Sequence, residues 1–181
     1  NSLIAQRMEL EWKLTKVHVL PCALPENIPE IPPWERREKI ILSVGRMRWE
    51  KGQDVLLKAW AKICRDFPDW KLKIVGDGPE WMNLEDYIRS AGLEKSVDLL
   101  GKKYPIWPHY QQARIFILPS RYEAFGNVLI EAMAMGCPCI STNCSGPQTI
   151  ITHEVNGLLV TPDKPEEIAM ALVQLLKDEA L

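Results

Sequence analysis

From Lys39 onward, short apolar runs alternate with stretches of helical spacing. The runs at 40–44, 72–75, 97–100, 115–118 and 139–142 are too short for helices and predict buried strands. An Asn156-Gly157 turn precedes 158–160, which predicts an edge strand. Between these runs apolar residues recur every three or four positions. Val55, Leu56, Ala59, Trp60 and Ile63 predict a helix over 53–65. Further helices are expected over 80–90, 108–112 and 127–135, with a helical turn at 146–151. An amphipathic helix over 165–178 closes the chain, with Ile168, Leu172, Leu175 and Leu176 on one side. Upstream, 2–14 has helical spacing and 17–20 reads as a strand that sets His18 on one sheet face. Prolines 21, 25, 29, 32 and 33 make 21–33 an irregular connection. Strands alternating with helices mean βα repeats. The expected class is therefore α/β, a doubly wound, mostly parallel, Rossmann-like sheet covered on both faces. Ligands of such sheets sit at the carboxyl ends of the strands.

One stretch stands out at such an end, Ser120 to Gly136. It leaves the 115–118 strand, turns at Phe125-Gly126 and enters the 127–135 helix, which is apolar except for Asn127 and Glu131 and is expected to be buried on most faces. A carboxylate at Glu131 is costly there unless something hydrogen-bonds it. Gly126 leaves the first-turn N–H groups open as an anion cradle. Glu123 stands before the cradle and Glu131 behind it. Read alone, the same pair also fits an acidic loop residue plus a helix-start Glu favoured by the dipole.

Size and charge narrow the picture. One chain of 181 residues, 46% hydrophobic and 25% charged, fits a single globular domain. Twenty-two basic against 24 acidic residues leave a net charge of −2, which argues against a general nucleic-acid binder. No apolar run reaches membrane-spanning length. The five cysteines include no Cys-x-x-Cys, and buried reduced thiols are expected. No Asp-x-Asp occurs, and His18, His109 and His153 form no ligand pair, so no metal site is expected. Gly76-Asp77-Gly78-Pro79 follows a strand, but Trp81 stands where a dinucleotide fingerprint needs its third glycine. The chain opens on Asn1, not Met, and is expected to be part of something longer.

Glu123 and Glu131, spaced Glu-x7-Glu around Phe125-Gly126 and followed by Ala-Met-Ala, resemble the signature of the retaining family 4 glycosyltransferases. These enzymes have two Rossmann-like halves (the GT-B fold) and use nucleotide-diphosphate sugars. A second stretch, Gly45-Arg46-Met47-Arg48-Trp49-Glu50-Lys51-Gly52, matches that family's Gly-Arg-hydrophobic-x-x-Glu-Lys-Gly pattern without a gap. The likeness runs from about Val17 to the end. Two departures are Cys22-Ala23 where Asn-Gly is common, and Gln148-Thr149 where many relatives have Glu.

The resemblance implies that this chain is the C-terminal, donor-binding half of a GT-B enzyme, whose N-terminal acceptor-side domain is absent. Glu123 would contact the donor sugar and Glu131 the ribose hydroxyls, while the backbone of Phe125, Gly126, Asn127 and Val128 faces sugar and diphosphate. Arg46 and Lys51 would clamp the departing diphosphate, Arg46 as a fork and Lys51 as a point charge. Gly45 lies beside them, and Lys102, in Gly101-Lys102-Lys103, borders the base. Trp107 and Tyr110 are read as helix packing or acceptor-side surface. No cofactor is implied beyond the nucleotide sugar as substrate, with UDP and GDP as candidate carriers. The expected partners are that donor and a saccharide or lipid-linked acceptor, with no nucleic acid. The full enzyme would be cytoplasmic, or peripheral at the inner face of the membrane, and this part inactive alone. Two rivals stay open: a non-catalytic nucleotide-sugar-binding module, and a GT-B-fold nucleotide-sugar epimerase.

Overall fold

A computed structural model describes residues 24–25 and 27–177. The expected 2–14 helix and 17–20 strand, with His18 and Cys22, lie outside the described residues. After an irregular proline-rich entry and a 3-10 turn at Trp34–Arg36, the chain alternates strands and helices. The strands are β1 (Ile40–Val44), β2 (Lys71–Val75), β3 (Val97–Leu99), β4 (Ile115–Leu118), β5 (Cys139–Thr142) and β6 (Leu158–Val160). The helices are α1 (Gln53–Ile63), α2 (Trp81–Ser90), α3 (Trp107–Gln112), α4 (Asn127–Ala134) and α5 (Pro165–Lys177). They match the expected spans at half of their ends and depart by a residue or two at the others. The last residues of the 53–65 span tighten into a 3-10 turn, Cys64–Asp66, and only 147–149 of the 146–151 turn is helical.

The six described strands form one parallel sheet in the order β3-β2-β1-β4-β5-β6. The register, with Ile41 opposite Ile115 and Leu42 opposite Phe116, sets β1 and β4 side by side at the centre. Successive side chains of a strand point to opposite faces. Ile41, Leu72, Ile74, Ile115, Ile117 and Ile140 accordingly join one core with α1, α2 and α5. Ile40, Leu42, Phe116 and Leu118 join another with α3 and α4. This is the doubly wound class expected from the sequence. The strand order reverses between β1 and β4, and a crevice opens beyond the carboxyl ends at such a switch point.

Helix α4 is less enclosed than its composition implied. Leu129 and Ala132 are buried, whereas Val128, Ile130, Met133 and Ala134 are half-buried, because only one side lies on β4 and β5. The described cysteines are free thiols. Cys137 and Cys139 are buried as expected, but Cys64 and Cys144, which stand in a helix-end turn and a rim loop, are half-buried.

Candidate functional site

Two clefts adjoin at the carboxyl rim of β1 and β4, and Val44, Gly45 and Arg46 line both. The larger, about 660 Å³, is completed by Arg48, Gly76 to Pro79, Lys102, Lys103, Ile106 and Glu131. The smaller, about 410 Å³, is completed by Lys51 and the segment from Glu123 to Val128. Both volumes fall in the range of small-molecule sites. All ten residues singled out as candidates from the sequence therefore line one or both of these adjoining clefts. Arg48 lines the larger too and pairs loosely with Glu50 at 3.9 Å.

The loops are built to meet. Gly52 has a φ of 67°, and a Cβ on it would stand 2.1 Å from the Pro119 carbonyl oxygen. Only glycine lets the β1–α1 loop pass this close to the β4–α4 loop. Gln53, buried at the start of α1, donates to the Arg46 carbonyl at 3.1 Å. The amide of Met47 donates to Asp77, and that of Glu80 to Met47, so the Gly-Asp-Gly-Pro turn braces the Arg46 loop. Thr142 donates to the Ser120 carbonyl at 2.5 Å, and the Gly146 amide to that of Glu123 at 2.9 Å. The turn carrying Gln148 thus supports the site through its backbone. At the head of α4, Gly126 has a φ of 103° and leaves the first turn uncovered.

Arg46, Lys51, Glu123 and Glu131 share the lining of these clefts with Arg48, Asp77, Lys102 and Lys103. Lys51 Nζ donates to Glu123 Oε2 at 2.6 Å, with side chains 23% and 13% exposed, and Ser120 adds a longer contact at 3.5 Å. Lys51 retains two further N–H donors for an anion. Arg46 is exposed, with no salt-bridge partner among the described residues. Glu131 accepts from the Tyr110 hydroxyl at 2.8 Å. That contact supplies the donor its position on an apolar helix requires.

Sequence reasoning missed this use of Tyr110, read there as packing or acceptor-side surface. The ring does pack, against Trp107 and Phe116, and is fully buried. Burial and then the Glu131 charge push its hydroxyl far above the ordinary tyrosine range, so it remains a donor. Arg37 fixes the helices that carry the pair. Its buried guanidinium donates to the carbonyls of Ala113 and Met135, groups left open at the ends of α3 and α4. No spacing signal could have linked Tyr110 or Arg37 to the site. Among the described residues no three His, Cys, Asp or Glu side chains are grouped to hold a metal ion.

Comparison with known proteins gives a consistent picture. The profile of "Glycosyl transferases group 1" matches residues 25–181. An uncharacterized glycosyltransferase of Haemophilus influenzae is 38% identical over 79% of this chain and 41% of its own length. The lipopolysaccharide 1,6-galactosyltransferase of Salmonella typhimurium is 34% identical over 82% of this chain and 43% of its own. Among solved structures, an Anabaena protein in complex with UDP and glucose superposes with a TM-score of 0.73 at 28% identity, covering 78% of this chain and 39% of that one. The chain thus spans about two fifths of the length of these relatives.

Proposed function

This chain belongs to the glycosyl transferases group 1 family, and from that premise we propose that it is the donor-binding half of a retaining glycosyltransferase. The whole enzyme moves a sugar from a nucleotide-diphosphate sugar to a saccharide or lipid-linked acceptor, in polysaccharide or glycoconjugate biosynthesis. The acceptor-side domain lies N-terminal to this chain, and the donor half alone does not turn over. The full enzyme works in the cytoplasm or at the inner face of the membrane. One observation carries the reading: Arg46, Lys51, Glu123 and Glu131, 85 positions apart at the extremes, line adjoining clefts at one rim of the sheet. The Anabaena neighbour's UDP and glucose and the Salmonella relative's galactosyl transfer support the substrate class.

In this reading the larger cleft takes the nucleoside, with Glu131, held by Tyr110, accepting from the ribose hydroxyls and the Lys102 backbone bordering the base. The diphosphate spans the shared wall of Gly45 and Arg46. As the sugar bond breaks, negative charge grows on the leaving phosphate. Arg46, the two remaining Lys51 donors and the amides at the head of α4 meet it. Phe125, Gly126, Asn127 and Val128 line the sugar side, where Glu123 orients the ring. Pairing with Lys51 also offsets the repulsion between Glu123 and the phosphates. The acceptor attacks from the face the diphosphate leaves, so configuration is retained.

Calorimetry with UDP, GDP and their sugars tests this. Arg46→Ala should weaken nucleoside diphosphate binding by about 1.5–3 kcal/mol, the worth of a charged hydrogen bond, and leave nucleoside binding unchanged. Equal diphosphate affinity in the variant would refute the clamp. A donor altered without acceptor would favour the epimerase, and binding without transfer by the full-length protein the non-catalytic module.

A further inference from the structure

Arg121 lines neither cleft, yet its guanidinium makes four hydrogen bonds, three of them to carboxylate oxygens. Its side chain is 8% exposed. Its Nη1 and Nη2 fork onto the two carboxylate oxygens of Asp54 at 2.7 and 2.8 Å, in the first turn of α1. Its Nε donates to Asp163 at 2.6 Å, in the loop between β6 and α5. Nη1 also donates to the Trp49 carbonyl at 2.5 Å, and the guanidinium lies 4.8 Å from the Trp49 ring. The backbone repeats the link, since the amides of Arg121 and Tyr122 both donate to the Glu50 carbonyl, at 2.9 and 3.2 Å.

These contacts bracket the site. Lys51 is two residues beyond Trp49, and Glu123 two residues beyond Arg121. The guanidinium therefore holds the two backbone segments from which the 2.6 Å pair projects. We propose that Arg121, seated on Asp54, is a positioning residue for the Lys51–Glu123 pair. It sets the spacing between the group that meets the diphosphate and the group that orients the sugar. The inference rests on the roles given to Lys51 and Glu123 above. A planar fork can satisfy Asp54, Asp163 and a carbonyl at once, whereas an ammonium on a flexible stem cannot hold those directions. Loss of the fork lets the loops drift, and a misplacement of about 1 Å costs on the order of a hundredfold in a positioned reaction.

Arg121→Lys and Asp54→Asn in the full-length protein test this with two readouts. The first is a double-mutant cycle for Lys51→Ala and Glu123→Ala, read from urea unfolding in the wild-type and Arg121→Lys backgrounds. Positioning predicts coupling that is several-fold in the unfolding constant for wild type and lost in Arg121→Lys. The second is nucleotide release from the nucleotide sugar that wild type consumes fastest among UDP-glucose, UDP-galactose and GDP-mannose. Here kcat should fall about tenfold or more with KM nearly unchanged, and by no more in Arg121→Lys/Lys51→Ala than in Lys51→Ala alone. Persistent coupling in Arg121→Lys, or an unchanged kcat, overturns the proposal. A Lys51→Ala protein with wild-type turnover would instead sink the clamp, and the unfolding cycle would still decide the role of Arg121.

Discussion

The hydroxyl of Tyr110 donates to Glu131 across 2.8 Å, and this contact joins α3 to α4 at the wall of the larger cleft. Twenty-one residues separate the partners in the chain. The contact fixes one carboxylate oxygen and leaves the other for a ligand hydroxyl.

Tyr110→Phe should keep the packing against Trp107 and Phe116 and remove only this donor. Nucleoside diphosphate affinity is expected to drop about tenfold or more, the effect of a hydrogen bond of roughly 1.5–3 kcal/mol to a charged group. Calorimetry with UDP and GDP reads it. An affinity equal to wild type would mean that Glu131 needs no support from Tyr110.

Gly52→Ala places a methyl against the Pro119 carbonyl and forces a left-handed backbone on an L residue. The backbone penalty alone is about 1–2 kcal/mol, and the clash adds to it. Urea denaturation should show a lower midpoint. Donor binding should weaken as well, because the displaced loop carries Lys51.

Glu123→Ala removes the partner of a largely enclosed lysine. The unpaired Lys51 ammonium should lower stability by about 1–3 kcal/mol, seen as a lower urea midpoint. Added UDP should recover part of that loss, since its phosphates offer the ammonium a new partner. No recovery at saturating UDP would argue that Lys51 does not face the diphosphate.

Asp54 makes stability depend on acid pH. Burial raises its pKa, but the hydrogen bonds and charge of Arg121, with Lys58 adding, bring it below the ordinary carboxylate value of 3.8. The unfolded chain therefore takes up that proton at a higher pH than the folded one. The contribution is complete above the ordinary value and is lost as pH falls from there through the folded value. In Asp54→Asn, stability measured by denaturation from pH 6 to pH 2 should decline less steeply.

The strands were legible in the sequence because a buried parallel strand must be a short apolar run, and six such runs stand between helical stretches. Their ends were less legible. Whether α1 tightens into a 3-10 turn at Cys64, or how many sides of α4 are covered, depends on neighbours that lie far away in the chain. The site divided in the same way. The candidates on the Arg46–Lys51 and Glu123–Glu131 stretches could be singled out because each sits in a loop whose spacing is its own signal. Tyr110, Arg37, Asp54 and Arg121 gave no such signal, since the partners in these contacts are 21 to 98 positions distant.

By itself, then, the amino-acid order determined which segments become strands and helices, and which loops carry charge at the strand ends. Local periodicity and turn chemistry act over a few residues, and the chain spells them out directly. Only the tertiary structure decided that Lys51 closes onto Glu123, that Tyr110 supports Glu131, and that Arg121 ties the two loops together. Such contacts arise where the strand order reverses between β1 and β4. They depend on the register and packing of the whole sheet, which no single stretch of sequence encodes.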